Sequence, residues 1–411
     1  MNFPKRLFLF VFILVVVIGA ALWGARSVLK PPQRTIEILP APTEATPLPA
    51  ESATPTATWH SFLLPFVRRS ETGTPEPSPS PTPSETPKAT KPPKPTPTPT
   101  LPWPEPLPRP PASKLGLHIQ WNNSPEIMEY IRRMKPRVVK SVGDFGFLAE
   151  LKESSPETVT LARVAQPFAL EGDPVQAARN YVQKHLETYL ANPAVDYWEG
   201  PNEPDIRGRM AWYAEFEAER VRQMAAHGLK AAIGSFSAGV PEWEEFAEFL
   251  PAIREAKAHG GILSLHEYDA PTLDRSLGAG LPGHPNHPDR GALALRYRWW
   301  YEDFLKPQGL VIPLVISEVG VDGLVANRPG PPKAKGWRDF AAYWREQGLG
   351  DDPISIYLNQ LAWYDRQLRQ DDYVIGCAIF TAGAMNDDWR SYDITPILRH
   401  LATYVIVPSA Q

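Results

Sequence analysis

Over roughly the last 300 residues of this chain, short apolar runs alternate about eight times with longer amphipathic ones. That rhythm predicts an α/β fold, eight parallel strand–helix units closed into a (β/α)8 TIM barrel. Two further observations frame it. An uncharged apolar stretch opens the sequence, and a tract dominated by proline and threonine separates it from the globular part. The expected organisation is residues 1–30 as a membrane anchor or signal segment, 31–112 as a disordered Pro/Thr/Ser-rich linker, and 113–411 as the barrel.

Leu7 to Trp23 carries no charge and follows Lys5 and Arg6. A span of about 17–20 apolar residues can cross a bilayer, whereas a cleavable export signal has a shorter apolar core ending in small residues. The stretch GAALWGA supplies small residues, but the length favours an uncleaved single-pass anchor. The tract that follows suggests export. The expected location is the cell membrane with the barrel outside the cytoplasm, or secretion if the segment is cleaved. The tract itself is too poor in apolar residues to fold. Its proline content favours extended polyproline II at ~3.1 Å per residue. An apolar island, Trp59 to Arg69, interrupts it with no evident physical reason.

The strand–helix units then follow in order. KLGLHIQW precedes SPEIMEYIRRMK; RVVKSVGD precedes FGFLAELKE; VTLARVAQ precedes PVQAARNYVQKHLETYLA; VDYWEGPNE precedes MAWYAEFEAERVRQMAAHG. KAAIGSFSAG precedes EWEEFAEFLPAIREAKAHG; GILSLHEYDA precedes RGALALRYRWWYEDFLK; VIPLVISEVG precedes SIYLNQLAWYDRQLRQ; YVIGCAIFTAG precedes ITPILRHLATYV. Ser124-Pro125 and Asp173-Pro174 are helix-opening signals, and Gly228 and Gly260 stand where helices close. A doubly wound open sheet is disfavoured, because no glycine-rich phosphate loop follows the first strand.

Composition narrows the function. The net charge is -4, and the globular part has no basic block, so no nucleic-acid partner is expected. The 13 tryptophans and 14 tyrosines suit both core packing and stacking on sugar rings. The one cysteine, Cys377, lies in an apolar run and reads as a core residue. A monomer is expected.

Two glutamates carry the chemistry. Glu203, in NEPD, ends the fourth strand unit, and Glu318, in ISEVG, ends the seventh. In a closed barrel, strand ends converge on one mouth. Two carboxylates facing one cleft are what cleavage of a glycosidic bond requires: one protonates the leaving oxygen and the other attacks the anomeric carbon. Glu203 is then expected to be held neutral by burial beside Tyr197, Trp198 and Pro204 and by the opposing Glu318 charge. The carboxyls are expected about 5–5.5 Å apart.

Alternation along the other strands nominates companions. On the sixth, Leu263 and Leu265 face the helices, so Ser264, His266 and Tyr268 face the axis, and Glu267 does not. On the first, Leu115, Leu117 and Ile119 alternate with Gly116, His118 and Gln120. The latter two either bind sugar hydroxyls or fill the interior with internal hydrogen bonds. Lys140 and Asp144 on the second strand and Arg163 on the third also face inward, as a salt-bridged interior or as groups orienting a carboxylate. On the eighth, Gly376, Ala378 and Phe380 share a face.

WEGPNEP on strand four and ISEVG on strand seven together resemble glycoside hydrolase clan A. The element order of the whole globular part agrees, and the sharp motif agreement is confined to a few strand ends. The resemblance implies a retaining hydrolase of a β-linked saccharide with no cofactor, Glu203 as acid/base and Glu318 as nucleophile. It further implies that Asn202 binds the sugar 2-hydroxyl and that Tyr268, beside His266, holds the nucleophile. The clan has a tryptophan near the end of strand eight. Here Phe380 stands there and Trp389 comes later, so either could form the stacking platform. An inactive saccharide-binding barrel and a transglycosylase with the same site are the alternatives. No metal is expected: His284 and His287 lack a third ligand, and His266 and Glu267 leave opposite faces of one strand.

Overall fold

The computed structural model of the protein describes residues 101–406. The expected anchor and nearly all of the expected linker lie outside that range. Among the described residues no helix is long and apolar enough to cross a membrane.

Eight strands form one closed barrel in chain order. They are β1 (Leu115–Ile119), β2 (Val138–Val142), β3 (Val159–Arg163), β4 (Tyr197–Glu199), β5 (Ala231–Phe236), β6 (Ile262–Asp269), β7 (Leu314–Val321) and β8 (Val374–Ala382). Every pairing is parallel, and β8 returns to β1, with Gly116 opposite Ala378. The expected barrel and its unit order are therefore observed. Parallel strands buried on both faces must be apolar outward, where helices cover them. Leu115, Leu117, Ile119, Leu263 and Leu265 do this, joining one large core with the helices. Inside, Val138, Leu161, Ala232, Ile262, Val315 and Ala378 form a separate dry cluster, with Tyr197 packed against it. Six strands thus plug the lower half of the barrel.

The helices begin where the sequence signals them. α1 (Pro125–Met134) is capped by the Ser124 hydroxyl, which accepts from the Glu126 amide at 3.3 Å. Its expected apolar face, Ile127, Tyr130 and Ile131, is fully buried. α2 (Leu148–Ser154) follows β2, and α3 (Pro174–Leu190) is capped by Asp173, which accepts from the Gln176 amide at 2.7 Å. α4 (Met210–Ala226) follows β4. The single helix expected after β5 is two, α5 (Trp243–Glu248) and α6 (Leu250–Ala258). Pro251 opens the second and could not lie inside a continuous helix. α7 (Tyr297–Trp300) continues into a wide π turn, and α8 (Ala341–Glu346), α9 (Pro353–Leu368) and α10 (Leu398–Ile406) complete the ring.

Three further boundaries differ from expectation. Residues 101–112, read as the end of the linker, lie against the barrel. The Leu107 amide donates to Arg133 O at 2.7 Å, and Arg399 covers the Trp103 ring at 5.0 Å. The carbonyls of Pro104, Pro108 and Pro111 accept from Arg133, Lys135 and Arg137. A proline has no N–H to satisfy but keeps its carbonyl, so a row of basic side chains is enough to dock this stretch. The fourth strand ends at Glu199, placing Glu203 in the loop beyond it. β7 continues to Val321, placing Glu318 within the strand.

Closure is tightest at Gly116. A Cβ there would stand 2.0 Å from Val138 O and 2.8 Å from Cys377 O, on the two flanking strands. Gly116→Ala is expected to cost about 1–3 kcal/mol as an overpacking change. Denaturant unfolding measures it, and an unchanged midpoint would mean that this seam is loosely packed.

Candidate active site

The polar layer above the plug is built by strand alternation and by local bulges. On β6, Ser264, His266 and Tyr268 point inward as expected. Ser264 Oγ donates to Glu199 Oε1 at 2.6 Å, His266 Nδ1 lies 2.8 Å from Glu203 Oε1, and Tyr268 OH donates to Glu318 Oε2 at 2.9 Å. Glu267 faces the helices, where Leu295 N, Tyr297 N and Tyr364 OH donate to it.

β7 does not alternate. Leu265 pairs with Ile316 and His266 with Glu318, so Ser317 is an extra residue with no opposite number. This bulge turns two consecutive side chains inward. Ser317 Oγ lies 2.8 Å from Ser264 Oγ and accepts from Lys140 Nζ at 3.2 Å, and Glu318 still reaches the axis. A second bulge, at Ser235 of β5, aims a carbonyl at the loop after β4, where it accepts from the Glu203 amide at 2.9 Å. Glu203 itself has φ 43°. A non-glycine residue in this left-handed region is strained by about 1–3 kcal/mol, and such residues concentrate at functional sites.

The floor of the site is a buried charge cluster. Lys140 Nζ lies 2.9 Å from both Glu199 Oε2 and Glu318 Oε1, with no exposure of its own side chain. Arg163 lies 3.5 Å from Glu199 and 3.4 Å from Glu318, and its Nη1 also donates to Asn202 Oδ1. The two readings left open for Lys140 and Arg163 hold together: they are a salt-bridged interior and they orient a carboxylate. Asp144 stands apart, accepting from the Asn122 amide.

Burial alone would raise both buried carboxyls. Lys140 and Arg163 outweigh it for Glu199, which falls to about 2. His266, Lys140 and Arg163 together hold Glu318 well below the usual carboxylate range. His118 is pushed down by burial to about 3 and is therefore neutral. Its Nδ1 lies 2.8 Å from Thr381 Oγ1, and its Nε2 lies 3.6 Å from Glu318.

Above the floor a cavity of about 330 Å³ opens at the C-terminal ends of the strands. That is within the range of small-ligand sites, and it is the end of the barrel where such sites lie. His118, Gln120, Asn202, Glu203, Tyr268, Glu318, Phe380 and Trp389 all line it; His266 stands behind, bonded to Glu203. One Glu203 oxygen and one Glu318 oxygen lie within 4.8 Å of each other. Gln120 Oε1 accepts from the Met385 amide, tying the first strand to the loop after the eighth. Phe380 packs edge-on to Trp389 and Tyr392, both at 5.4 Å, and these rings form one apolar wall. The Glu203 surroundings differ from expectation. Trp198 faces the helices, against Tyr189 and Phe145, and Tyr197 packs on the plug. The Glu203 side chain is instead 37% exposed.

Sequence reasoning missed Glu199, Ser317 and Asp322. Alternation about the apolar Trp198 would have turned Glu199 inward with Tyr197. Ser317 and Asp322 carry no such signal, one because of the bulge and the other because it lies beyond the strand.

Glu203, His266 and Glu318 also offer three ligand atoms within 4.8 Å of one another. They do not suit a metal. The 2.8 Å approach of His266 to Glu203 is a hydrogen bond, and Lys140 and Arg163 already neutralise Glu318 from below. His284 stacks on Trp243 at 3.8 Å and His287 meets the edge of Trp299, so neither converges on a common point.

No protein-family profile matches the chain, and no curated protein matches it in sequence. Solved structures do resemble it. One is a family 39 glycoside hydrolase from the gut symbiont Bacteroides cellulosilyticus WH2, at 12% identity over 72% of this chain and 63% of that one, TM-score 0.45. Another is a GH128 (subgroup II) endo-β-1,3-glucanase from Pseudomonas viridiflava, at 16% identity over 72% and 98%, TM-score 0.39. A third is a glucosidase from Croceicoccus marinus, at 14% identity over 73% and 69%, TM-score 0.43. This chain thus spans less than two thirds of the first. Barrel glycoside hydrolases are therefore among the structures it resembles. At these identities the likeness concerns the fold and leaves the residue assignments to the geometry.

The charge floor makes a stability statement. Glu199 is depressed from 4.5 to about 2 on folding, so its contribution is full above pH 4.5 and disappears as pH falls toward 2. Glu199→Gln is expected to flatten that acid limb. Lys140→Met, which strands two carboxylates with one arginine, is expected to cost about 3–5 kcal/mol at pH 7. The double variant should recover part of the loss. Equal losses in the single and double variants would show that the pair is not coupled.

Proposed function

We propose that the barrel is a retaining glycoside hydrolase that cleaves a β-glycosidic bond in an oligo- or polysaccharide. The observation that carries this reading is the approach of the Glu203 and Glu318 oxygens to within 4.8 Å across a cavity that both line. A gap that short suits direct attack by one carboxylate. Inverting hydrolysis separates its carboxyls by about 6.5–9.5 Å to admit a water between them.

The roles follow from the surroundings. Glu318 is the nucleophile, because its cationic neighbours keep it ionised. Its Oε1 is anchored by Lys140 and Arg163, while Oε2 accepts from the Tyr268 hydroxyl, its one close donor among the described residues, and lies toward His266. Oε2 is therefore the attacking atom. Glu203, more exposed and bonded to His266, is the acid/base. Its proton passes to the glycosidic oxygen as the C1–O bond breaks and Oε2 bonds to C1. A water then gives a proton to Glu203, its oxygen replaces Oε2 at C1, and the cycle closes with one water consumed. Asn202, whose Oδ1 is held by Arg163, would hydrogen-bond the sugar 2-hydroxyl through its amide NH2. Phe380 and Trp389 offer the apolar face on which a ring stacks. A membrane anchor at residues 1–30, with the barrel outside the cytoplasm, is proposed from the sequence alone.

One observation favours a second reading, a saccharide-binding barrel without turnover: Glu318 is buried and ion-paired. Kinetics on a panel of aryl β-glycosides and polysaccharides separates the two. Glu203→Gln and Glu318→Gln are each expected to lower kcat/KM by about 10²–10⁴-fold or more, with NMR showing the β-anomer as first product. Binding without turnover, unchanged in both variants, would establish the binder.

A further inference from the structure

Asp322 is a third carboxylate in the cavity, and neither the strand pattern nor the proposed reaction uses it. It follows the last residue of β7 and lines the cavity with Glu203 and Tyr392. Its backbone is fixed. The Asp322 amide donates to Asp269 O at 3.2 Å, and the residue bridges to Gly336 on the following loop. Its Oδ1 is doubly engaged, accepting from Leu324 N and from Tyr392 OH, both at 2.8 Å. Among the described residues nothing donates to Oδ2. Burial raises the Asp322 carboxyl above its usual range, and the Glu203 charge adds to that, so the group gains from any donor that enters the cavity.

The surroundings select the donor. Tyr392, which orients Asp322, also belongs to the wall with Phe380 and Tyr268, and Trp389 packs against it. A sugar ring laid on that wall presents its hydroxyls at the ring edge, toward the Asp322 side. Charge sets the second condition. Glu203, Glu318 and Asp322 line the cavity with one arginine; Lys140 beneath balances Glu318 and Glu199, and Arg328 offsets Asp322 only in part, since its carboxyl is still raised. The arginine in the cavity, Arg163, is already engaged by Glu199, Asn202 and Glu318.

We propose that Asp322 is a specificity-determining residue: its Oδ2 accepts a hydrogen bond from one saccharide hydroxyl, and its charge turns away saccharides bearing a carboxylate of their own. The inference rests on the saccharide reading of this cavity.

The test uses the best aryl β-glycoside from a configuration panel, its monodeoxy analogues and the matching uronide. Turnover is measured in wild type, Asp322→Ala and Asp322→Asn. Calorimetric binding of the same compounds is measured in the Glu318→Gln protein with and without each Asp322 change. Asp322→Ala is expected to lower kcat/KM, or affinity, by about 10- to 100-fold for the parent, as loss of a charged hydrogen bond does. The loss should be nearly absent for the one analogue lacking the hydroxyl that Asp322 receives. Asp322→Asn, which keeps the shape and removes the charge, should raise acceptance of the uronide relative to the parent about tenfold, and it stands as the test if the alanine variant does not fold. Equal losses across the deoxy series, or an unchanged uronide ratio, would overturn the proposal. Absence of turnover with discrimination retained in binding would sink the hydrolase reading and leave Asp322 in its role.

Discussion

Everything in the upper half of this barrel depends on Lys140, a fully buried ammonium shared between Glu199 and Glu318. An isolated charge at that depth would be prohibitively desolvated. Lys140 and Arg163 against Glu199 and Glu318 make a balanced set of four, and Ser264 and Ser317 supply further hydrogen bonds within the floor. Glu199 is the member whose purpose is least obvious. Without it, two cations would face Glu318 alone. With it, Lys140 is divided between two carboxylates, and Glu318 keeps part of its charge for whatever enters from above. A set with so many mutual contacts holds each side chain in one place before any ligand arrives, which is the condition for electrostatic preorganisation.

The backbone serves the same end by departing from regularity. A strict period of two would make Ser317 and Glu318 point to opposite faces, leaving one in the helical core. The bulge places both inside. A regular β5 would likewise not offer its Ser235 carbonyl to the Glu203 amide, and the left-handed turn at Glu203 would lose the partner that fixes it. These irregularities sit at the rim where strands hand over to loops, while the plug below is apolar. Stability and positioning are thus assigned to different halves of one barrel.

That division explains what was legible in the sequence. The plug and the helix-facing leucines follow from period and hydropathy, so strand order, helix openings and the inward set Ser264, His266 and Tyr268 could be read directly. Glu203 and Glu318 were legible as a pair because strand ends converge in a closed barrel. Their settings were not. Tyr197 and Trp198 adjoin Glu203 in sequence, yet the short β4 sends one to the plug and the other to the helices. Glu199 is less legible, because the sharper motif Asn202-Glu203-Pro204 stands beside it. The docking of residues 101–112 was hidden by composition: proline content signalled disorder, while the basic residues that receive its carbonyls lie on a helix and a strand end further along the chain.

The two carboxylates end in opposite environments, and their contrast matters more than either alone. Glu318 sits in a cage of donors and cations, and Glu203 stands on the exposed side with one imidazole. Separated environments are how a pair of identical side chains acquires different protonation and different roles. The cage also has a chemical consequence for the proposed reaction. A carboxylate held this far below its usual range is a weak nucleophile and a good leaving group. Proton donation by Glu203 would then matter most in the first step, where the sugar is captured. The anchoring of Oε1 and the relative freedom of Oε2 limit that handicap, since charge drawn by Lys140 and Arg163 is concentrated on the oxygen that does not attack. In the proposed reaction, the same lysine that makes a buried floor tolerable would also leave Oε2 as the oxygen that reacts.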